Sequence, residues 1–160
     1  MRLLGGLLLM AASACAGTET RPSAPSLELA LTTEDGRSLE LAALRGRPTL
    51  MFLFATFDGS SQLALAPLMA ATENEERVTV IGVAVQPDAR TFLGPFRAAL
   101  DVPFALYIDE QQALIEGKTA LGKLPGVPAF VALDAAGHVR RTFFGVADRD
   151  ELERLIESTL

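Results

Sequence analysis

The chain has 160 residues, about half of them hydrophobic, with 14 basic and 20 acidic side chains and a formal net charge of −6. The basic residues are scattered and form no cluster with interleaved aromatic residues, which argues against nucleic acid as a partner. One cysteine, Cys15, and one histidine, His138, cannot supply the several ligands of a zinc or copper site, and we expect no metal or other cofactor.

The first residues predict an exported protein. Arg2 supplies a positive start, and Leu3–Ala12 is an apolar run that is too short to span a bilayer as a stable helix. Small residues follow, as they do at the cleavage site of an export signal. We therefore interpret residues 1–14 as a signal peptide that is not part of the fold.

The cysteine after this segment has two interpretations. Ala12–Cys15 resembles a bacterial lipobox, in which the thiol of the cysteine is acylated after cleavage and anchors the protein in the membrane. By the same resemblance Ala16, which is not an aspartate, favours the outer membrane. The alternative is cleavage by ordinary signal peptidase, which would leave a soluble periplasmic or secreted protein.

Residues 15–25 are rich in Thr, Ser and Pro and predict a flexible tether, and residues 26–160 predict one domain. A βαβ half followed by a hairpin and a last helix indicates an α/β fold with a mixed central sheet and helices on both faces. In chain order, the patterns predict strands at Ser26–Thr33, Thr49–Ala55, Arg77–Val85, Pro103–Asp109, Pro128–Asp134 and His138–Phe144, and helices at Ser60–Asn74, Asp88–Leu100, Glu110–Gly117 and Arg149–Leu160.

The segment Thr49–Pro67, TLMFLFATFDGSSQLALAP, resembles the strand-to-helix site of TlpA-type (AhpC/TSA-related) thioredoxin-like disulfide reductases of the bacterial envelope. Its apolar strand and the aromatic Phe57 match that family, but both of the family's cysteines are missing. Asp58 and Ser61 stand at the cysteine positions. The helix proline, Pro67, lies one residue later than the family spacing predicts.

That extra residue leaves the register open by one position. In the alternative register Gly59 and Gln62 would occupy the cysteine positions, and neither register restores a thiol. A second segment, Gly126–Ile156, resembles the loop, hairpin and last helix of the same family. The resemblance implies a thioredoxin-like fold over residues 26–160, with a cis peptide bond at Val127-Pro128 facing the site.

A thiolate is the nucleophile of thiol–disulfide exchange, and neither a hydroxyl nor a carboxylate replaces it. The sequence therefore predicts a redox-inactive protein with no catalytic residue, which binds an envelope protein or peptide. By resemblance, the binding residues are Phe57, Asp58, Val127 and Pro128. The alternatives are a thiol-free enzyme built around Asp58, whose simpler interpretation is a helix N-cap, and the family's own oxidoreductase activity, which the missing cysteines disfavour.

Overall fold

A computed structural model of the chain describes residues 25–160. The predicted signal peptide, Cys15 and the predicted tether up to residue 24 lie outside the described residues. Within residues 25–160, no helix combines the length and the hydrophobicity that crossing a bilayer requires.

The described chain forms seven strands, three α-helices and one 3-10 helix. In chain order these are β1 (Ala30–Thr33), β2 (Ser38–Glu40), the 3-10 helix (Leu41–Leu44), β3 (Thr49–Phe54), α1 (Gly59–Thr72), β4 (Thr79–Ala84), α2 (Ala89–Leu100), β5 (Ala105–Ile108), β6 (Ala129–Leu133), β7 (Val139–Phe144) and α3 (Arg149–Thr159).

All seven strands belong to one sheet in the order β2-β1-β5-β4-β3-β6-β7. Strand β3 is parallel to β4, and β4 is parallel to β5, whereas β6 runs antiparallel to β3 and β7 antiparallel to β6. The predicted mixed sheet is confirmed. Its central strand β3 is buried along its whole length, as expected of a continuous apolar run that packs on both faces.

Alternate residues of β3 enter two separate hydrophobic clusters. Leu50, Phe52 and Phe54 pack with apolar side chains from all three α-helices. Met51 and Leu53 pack on the other face, against the 3-10 helix, the residues before β1 and the segment between β5 and β6. The sheet thus has its α-helices on one face and only a short 3-10 helix on the other.

The prediction of helices on both faces holds only because the 3-10 helix lies on the second face. Chain topology explains why the three α-helices share the first face. The connections β3–α1–β4 and β4–α2–β5 step across the sheet in the same direction. Right-handed crossovers that step the same way place their helices on the same face. The opposite face is then left to segments without an α-helix.

The segment Glu110–Gly117, predicted as a short helix, consists of turns. Gln112 and Gly117 have φ angles of 51° and 75°, which an α-helix does not contain. The fully buried carboxylate of Asp109 accepts the backbone N–H groups found four and five residues later, at 3.1 and 2.9 Å. The side chain of Asp109 therefore accepts backbone N–H groups that would donate to main-chain carbonyls if this segment were the predicted helix.

Both clusters, as described, draw on residues between Leu27 and Ile156. A chain that starts at Gly17 retains every one of these core side chains. We therefore expect this shorter chain to fold on its own.

Candidate functional site

The predicted site lies where the chain leaves β3 and enters α1. Ala55 and Thr56 are buried, but the ring of Phe57 is 77% exposed. Asp58 is half-buried and is the N-cap residue of α1. The connection therefore presents an aromatic ring and a carboxylate side by side at the carboxyl end of the central strand.

The carboxylate of Asp58 is held by the first turn of α1. One of its oxygens accepts the backbone N–H of Ser61 at 2.7 Å and the hydroxyl of Ser60 at 2.7 Å. The hydrogen bond from Ser60, followed by that from Ser61, lowers the pKa of Asp58 below its ordinary value. Asp58 is therefore a charged helix cap at neutral pH and a weak general base.

Ser61 is completely buried as the third residue of α1. Its hydroxyl oxygen accepts the backbone N–H of Ala55 at 3.3 Å, so the side chain ties the start of the helix to the end of β3. Among residues 25–160 the only imidazole does not lie near this hydroxyl, because His138 lies at the β6–β7 hairpin, at the opposite end of β3, where its ring nitrogen contacts Asp134 at 3.2 Å.

The alternative cysteine positions have a different geometry. Gly59 is exposed, with open space around the position of a Cβ atom. Gln62 is exposed and donates its amide N–H to the carbonyl of Thr56 at 2.9 Å. The pair Asp58 and Ser61 thus consists of a helix cap and a buried residue, whereas Gly59 and Gln62 are both exposed. The register remains a prediction.

Gln86 supports the site from the neighbouring strand, and the sequence analysis missed it. It is buried just after β4, and its side-chain oxygen accepts both the backbone N–H and, at 3.0 Å, the hydroxyl of Thr56. This pair fixes the backbone immediately before Phe57. The one signal in the sequence is a polar residue that directly follows a buried strand parallel to β3.

The peptide bond between Val127 and Pro128 is cis, the isomer expected for it. Because Ala129 pairs with Leu53, the two residues before it lie beside the chain that leaves β3. The carbonyl of Pro128 accepts the N–H of Gly145 at 2.8 Å. Among residues 25–160, the backbone N–H and C=O groups of Val127 have no hydrogen-bond partner.

Two further apolar side chains lie at this edge of the sheet. Phe144 pairs with Ala129 across β6 and β7, and Phe144 and Val146 are 45% and 47% exposed. From the sequence, Phe144 is predicted only as the last residue of the strand His138–Phe144. The signal for an exposed apolar patch is that apolar residues continue past the end of this strand, as far as Val146.

Within the part of the chain that the structure describes, no group of three or more His, Cys, Asp or Glu side chains is placed to hold a metal ion. The site therefore consists of an exposed ring, a capping carboxylate and unpaired main-chain groups. Such groups bind other molecules through apolar contact, charge and backbone hydrogen bonds.

No protein-family model and no curated protein matches the chain. Solved structures do. A thiol:disulfide interchange protein of the thioredoxin family from Chlorobium tepidum is 17% identical with a TM-score of 0.70, over 87% of this chain and 97% of that one. MTB DsbF, solved in mixed oxidized and reduced forms, is 22% identical with a TM-score of 0.68, over 82% and 95%.

A secreted Mycobacterium tuberculosis disulfide oxidoreductase, described as homologous to E. coli DsbE, is 20% identical with a TM-score of 0.66, over 81% of this chain and 95% of that one. Likeness at this level of identity shows the fold alone. The predicted thioredoxin-like fold is thereby confirmed.

Replacing the capping carboxylate tests its role. We expect Asp58→Ala to lower the free energy of unfolding by about 1 kcal/mol at neutral pH, and Asp58→Asn, which still caps, by about half as much. Because the folded pKa is depressed, the charge contributes fully above the ordinary pKa of 3.8 and is lost as the pH falls through the lower folded value.

Urea unfolding at a series of pH values measures this. The gap between the natural protein and Asp58→Asn should close in acid. Glu40→Gln is the matched control, because Glu40 precedes the 3-10 helix without a side-chain cap hydrogen bond. A gap that is the same for Asp58→Asn at every pH would contradict the assignment.

Proposed function

We propose that this chain is a redox-inactive, TlpA-type thioredoxin-like protein of the bacterial envelope that binds a peptide or protein segment. The observation that carries the proposal is the start of α1, where Asp58 caps the helix and Ser61 is its buried third residue. Cys15 is the only cysteine of the chain. A domain without a thiol cannot itself exchange disulfides.

The unpaired main chain of Val127 favours binding by strand addition. A partner segment that runs beside Val127 would gain backbone hydrogen bonds without any cysteine. Phe57, Phe144 and Val146 are exposed around it and would contact apolar side chains of that segment. The negative charge of Asp58 would favour a neutral or basic segment over an acidic one.

The place of the domain's N-terminus supports an anchored protein. The N–H of Leu27 donates to the carbonyl of Gly137 at 2.8 Å, so the described chain starts at the β6–β7 hairpin, opposite the start of α1. An acylated Cys15 followed by a tether would attach at that end. The binding surface would then face away from the membrane. One similar structure is described as that of a secreted protein, which agrees with an envelope location.

A thiol-free enzyme that uses Asp58 is the weaker candidate. Its carboxylate is committed to the helix cap, and its lowered pKa makes it a poor base at neutral pH. An oxidoreductase activity like that named for the similar structures would need both thiols from another molecule. Neither alternative is favoured by a specific contact in the described residues.

The redox part of the proposal is tested with residues 17–160. This protein should reduce insulin no faster than dithiothreitol alone, because it contains no sulfur nucleophile. Asp58→Cys combined with Ser61→Cys should create a reducible disulfide, read by mass after thiol alkylation. Gly59→Cys combined with Gln62→Cys is the control for register. If only the Gly59 and Gln62 pair forms a disulfide, the register with the one-residue insertion is correct. Insulin reduction by the unaltered domain would overturn the proposal.

The anchoring part is tested by intact mass of the full-length product from bacterial membranes. We expect a mature chain that starts at an acylated Cys15, as the resemblance of Ala12–Cys15 to a lipobox implies. Two or more acyl chains would anchor it stably in a bilayer. Cys15→Ser should abolish the lipid mass. An unmodified chain that starts at Cys15 or Gly17 would show ordinary secretion instead.

The binding surface is tested by quantitative capture from bacterial envelope extract. Val127→Asp should remove most of the captured partner, because it places a charge where a segment must pack. Because Val127 also packs against the hydrophobic core, the unfolding midpoint of the variant is measured alongside to show that the domain is folded during capture. His138→Ala, at the far hairpin, should capture as much as the natural domain. Equal capture by all three proteins would show that the partner uses another face.

A further inference from the structure

A second apolar surface lies between α1 and α2, on the helical face of the sheet. It is a groove of about 390 Å³, which we call the α1–α2 groove. Phe57 and Gln62 line one side, and Phe92, Pro95 and Ala99 line the other. None of these side chains is charged, and Phe92 is 50% exposed although it is a large apolar residue.

Helix α1, which lines the groove through Gln62, has no charged residue among its 14. Leu63 of the same helix is 70% exposed but does not line the groove. Phe57 and Phe92, which do line it, are 77% and 50% exposed. Exposed aromatic rings that face one groove form the kind of contiguous apolar surface that marks an interaction site.

Carboxylates lie next to residues that line the groove. Asp58 directly follows Phe57, Asp101 directly follows Leu100, and Asp88 precedes α2 about one turn before Phe92. Within residues 25–160 none of the three forms an ion pair. The two arginines of α2 do not neutralise them, because Arg90 pairs with Glu110 and Arg97 with Glu34, toward the β1 side of the helix.

The walls also indicate the backbone form of an occupant. Two helices line the groove, and their main-chain groups are bonded within the helices, so an extended segment would find no row of free N–H and C=O groups to pair with. A helix brings its own hydrogen bonds. From Phe92 to Ala99 the groove extends for about 10 Å, enough for about two helical turns.

The charges decide between a second copy of this chain and a different partner. Two copies that met through this groove would bring the same unpaired carboxylates together on chains of net charge −6. A helix with basic residues near its ends would instead pair with them.

We propose that the α1–α2 groove binds a short amphipathic helix of a partner protein, with apolar side chains at i, i+3 or i+4, and i+7 and with Lys or Arg near both ends. This inference goes beyond the proposed function, because it does not use the main chain of Val127. The groove is a second binding surface, for a second kind of segment.

The probe is a fluorescein-labelled synthetic helix of about four turns, with Leu and Phe on one face and Lys at both ends. A second peptide carries Glu in place of Lys. We expect residues 17–160 to bind the Lys peptide saturably and about tenfold more tightly than the Glu peptide at low salt, by fluorescence anisotropy. Phe92→Glu should abolish binding, and Val127→Asp should leave it unchanged.

Charge is tested separately with Asp88→Asn combined with Asp101→Asn. Asp88 and Asp101 have φ angles of 59° and 48°, a left-handed region that Asn side chains tolerate well. The two substitutions therefore keep the backbone conformation. This variant should lose most of the preference for the Lys peptide. Glu40→Gln combined with Asp150→Asn, which removes the same charge from exposed positions elsewhere, should retain that preference.

Four results would overturn the inference, and the first three concern the groove itself. The first is that the Lys peptide shows no saturable binding. The second is that Phe92→Glu still binds the peptide. The third is that the domain forms a dimer in sedimentation and Phe92→Glu does not, which would assign the groove to a second copy. Loss of binding in Val127→Asp would also overturn it, by assigning the peptide to the first surface. Failure here leaves the envelope capture experiment on Val127 unaffected.

Discussion

The hydrogen bonds from the first turn of α1 to the Asp58 carboxylate are the interaction on which the rest of the site depends. They start the helix at Gly59, place Phe57 in solvent and bury Ser61 beneath the end of β3. Free N–H groups and the helix dipole make this a position that favours negative charge. The same field would stabilise a thiolate. In this chain a carboxylate occupies it.

The two surfaces of the site differ in what they offer to a partner. At Val127 the protein presents unpaired main-chain groups, and under our proposal these bind the backbone of an extended segment. In the α1–α2 groove it presents side chains, and under our second proposal these bind a helix through its shape and its flanking charge. Phe57 borders both surfaces, because it stands between the end of β3 and the start of α1. Under the two proposals, one aromatic ring would therefore contact both kinds of segment.

The sequence predicted the parts of the fold that local pattern controls. β3 was predictable because burial on both faces leaves a continuous apolar run, and α3 because its apolar residues share one face. The turns at Glu110–Gly117 were not, because a buried side chain from the preceding residue replaces the helix hydrogen bonds. The site residues Phe57 and Asp58 and the cis Val127-Pro128 bond were predicted from the resemblance to thioredoxin-like proteins. The contact of Gln86 with Thr56 and the exposure of Phe92 were not predicted, because both depend on which elements the fold brings together. A polar residue directly after a buried strand was the only signal for Gln86.

The attachment of the domain's first residues to the β6–β7 hairpin has a mechanical consequence. Ser26 bridges to His138, and Leu27 donates to Gly137, so the chain ahead of β1 is fastened at two adjacent points. Arg45 adds a polar clasp through the hydroxyl of Ser26. Tension applied to the chain ahead of Ser26 would load this short pairing before it reached the central sheet. The surfaces at the other end of the sheet would then keep their geometry until the pairing opened.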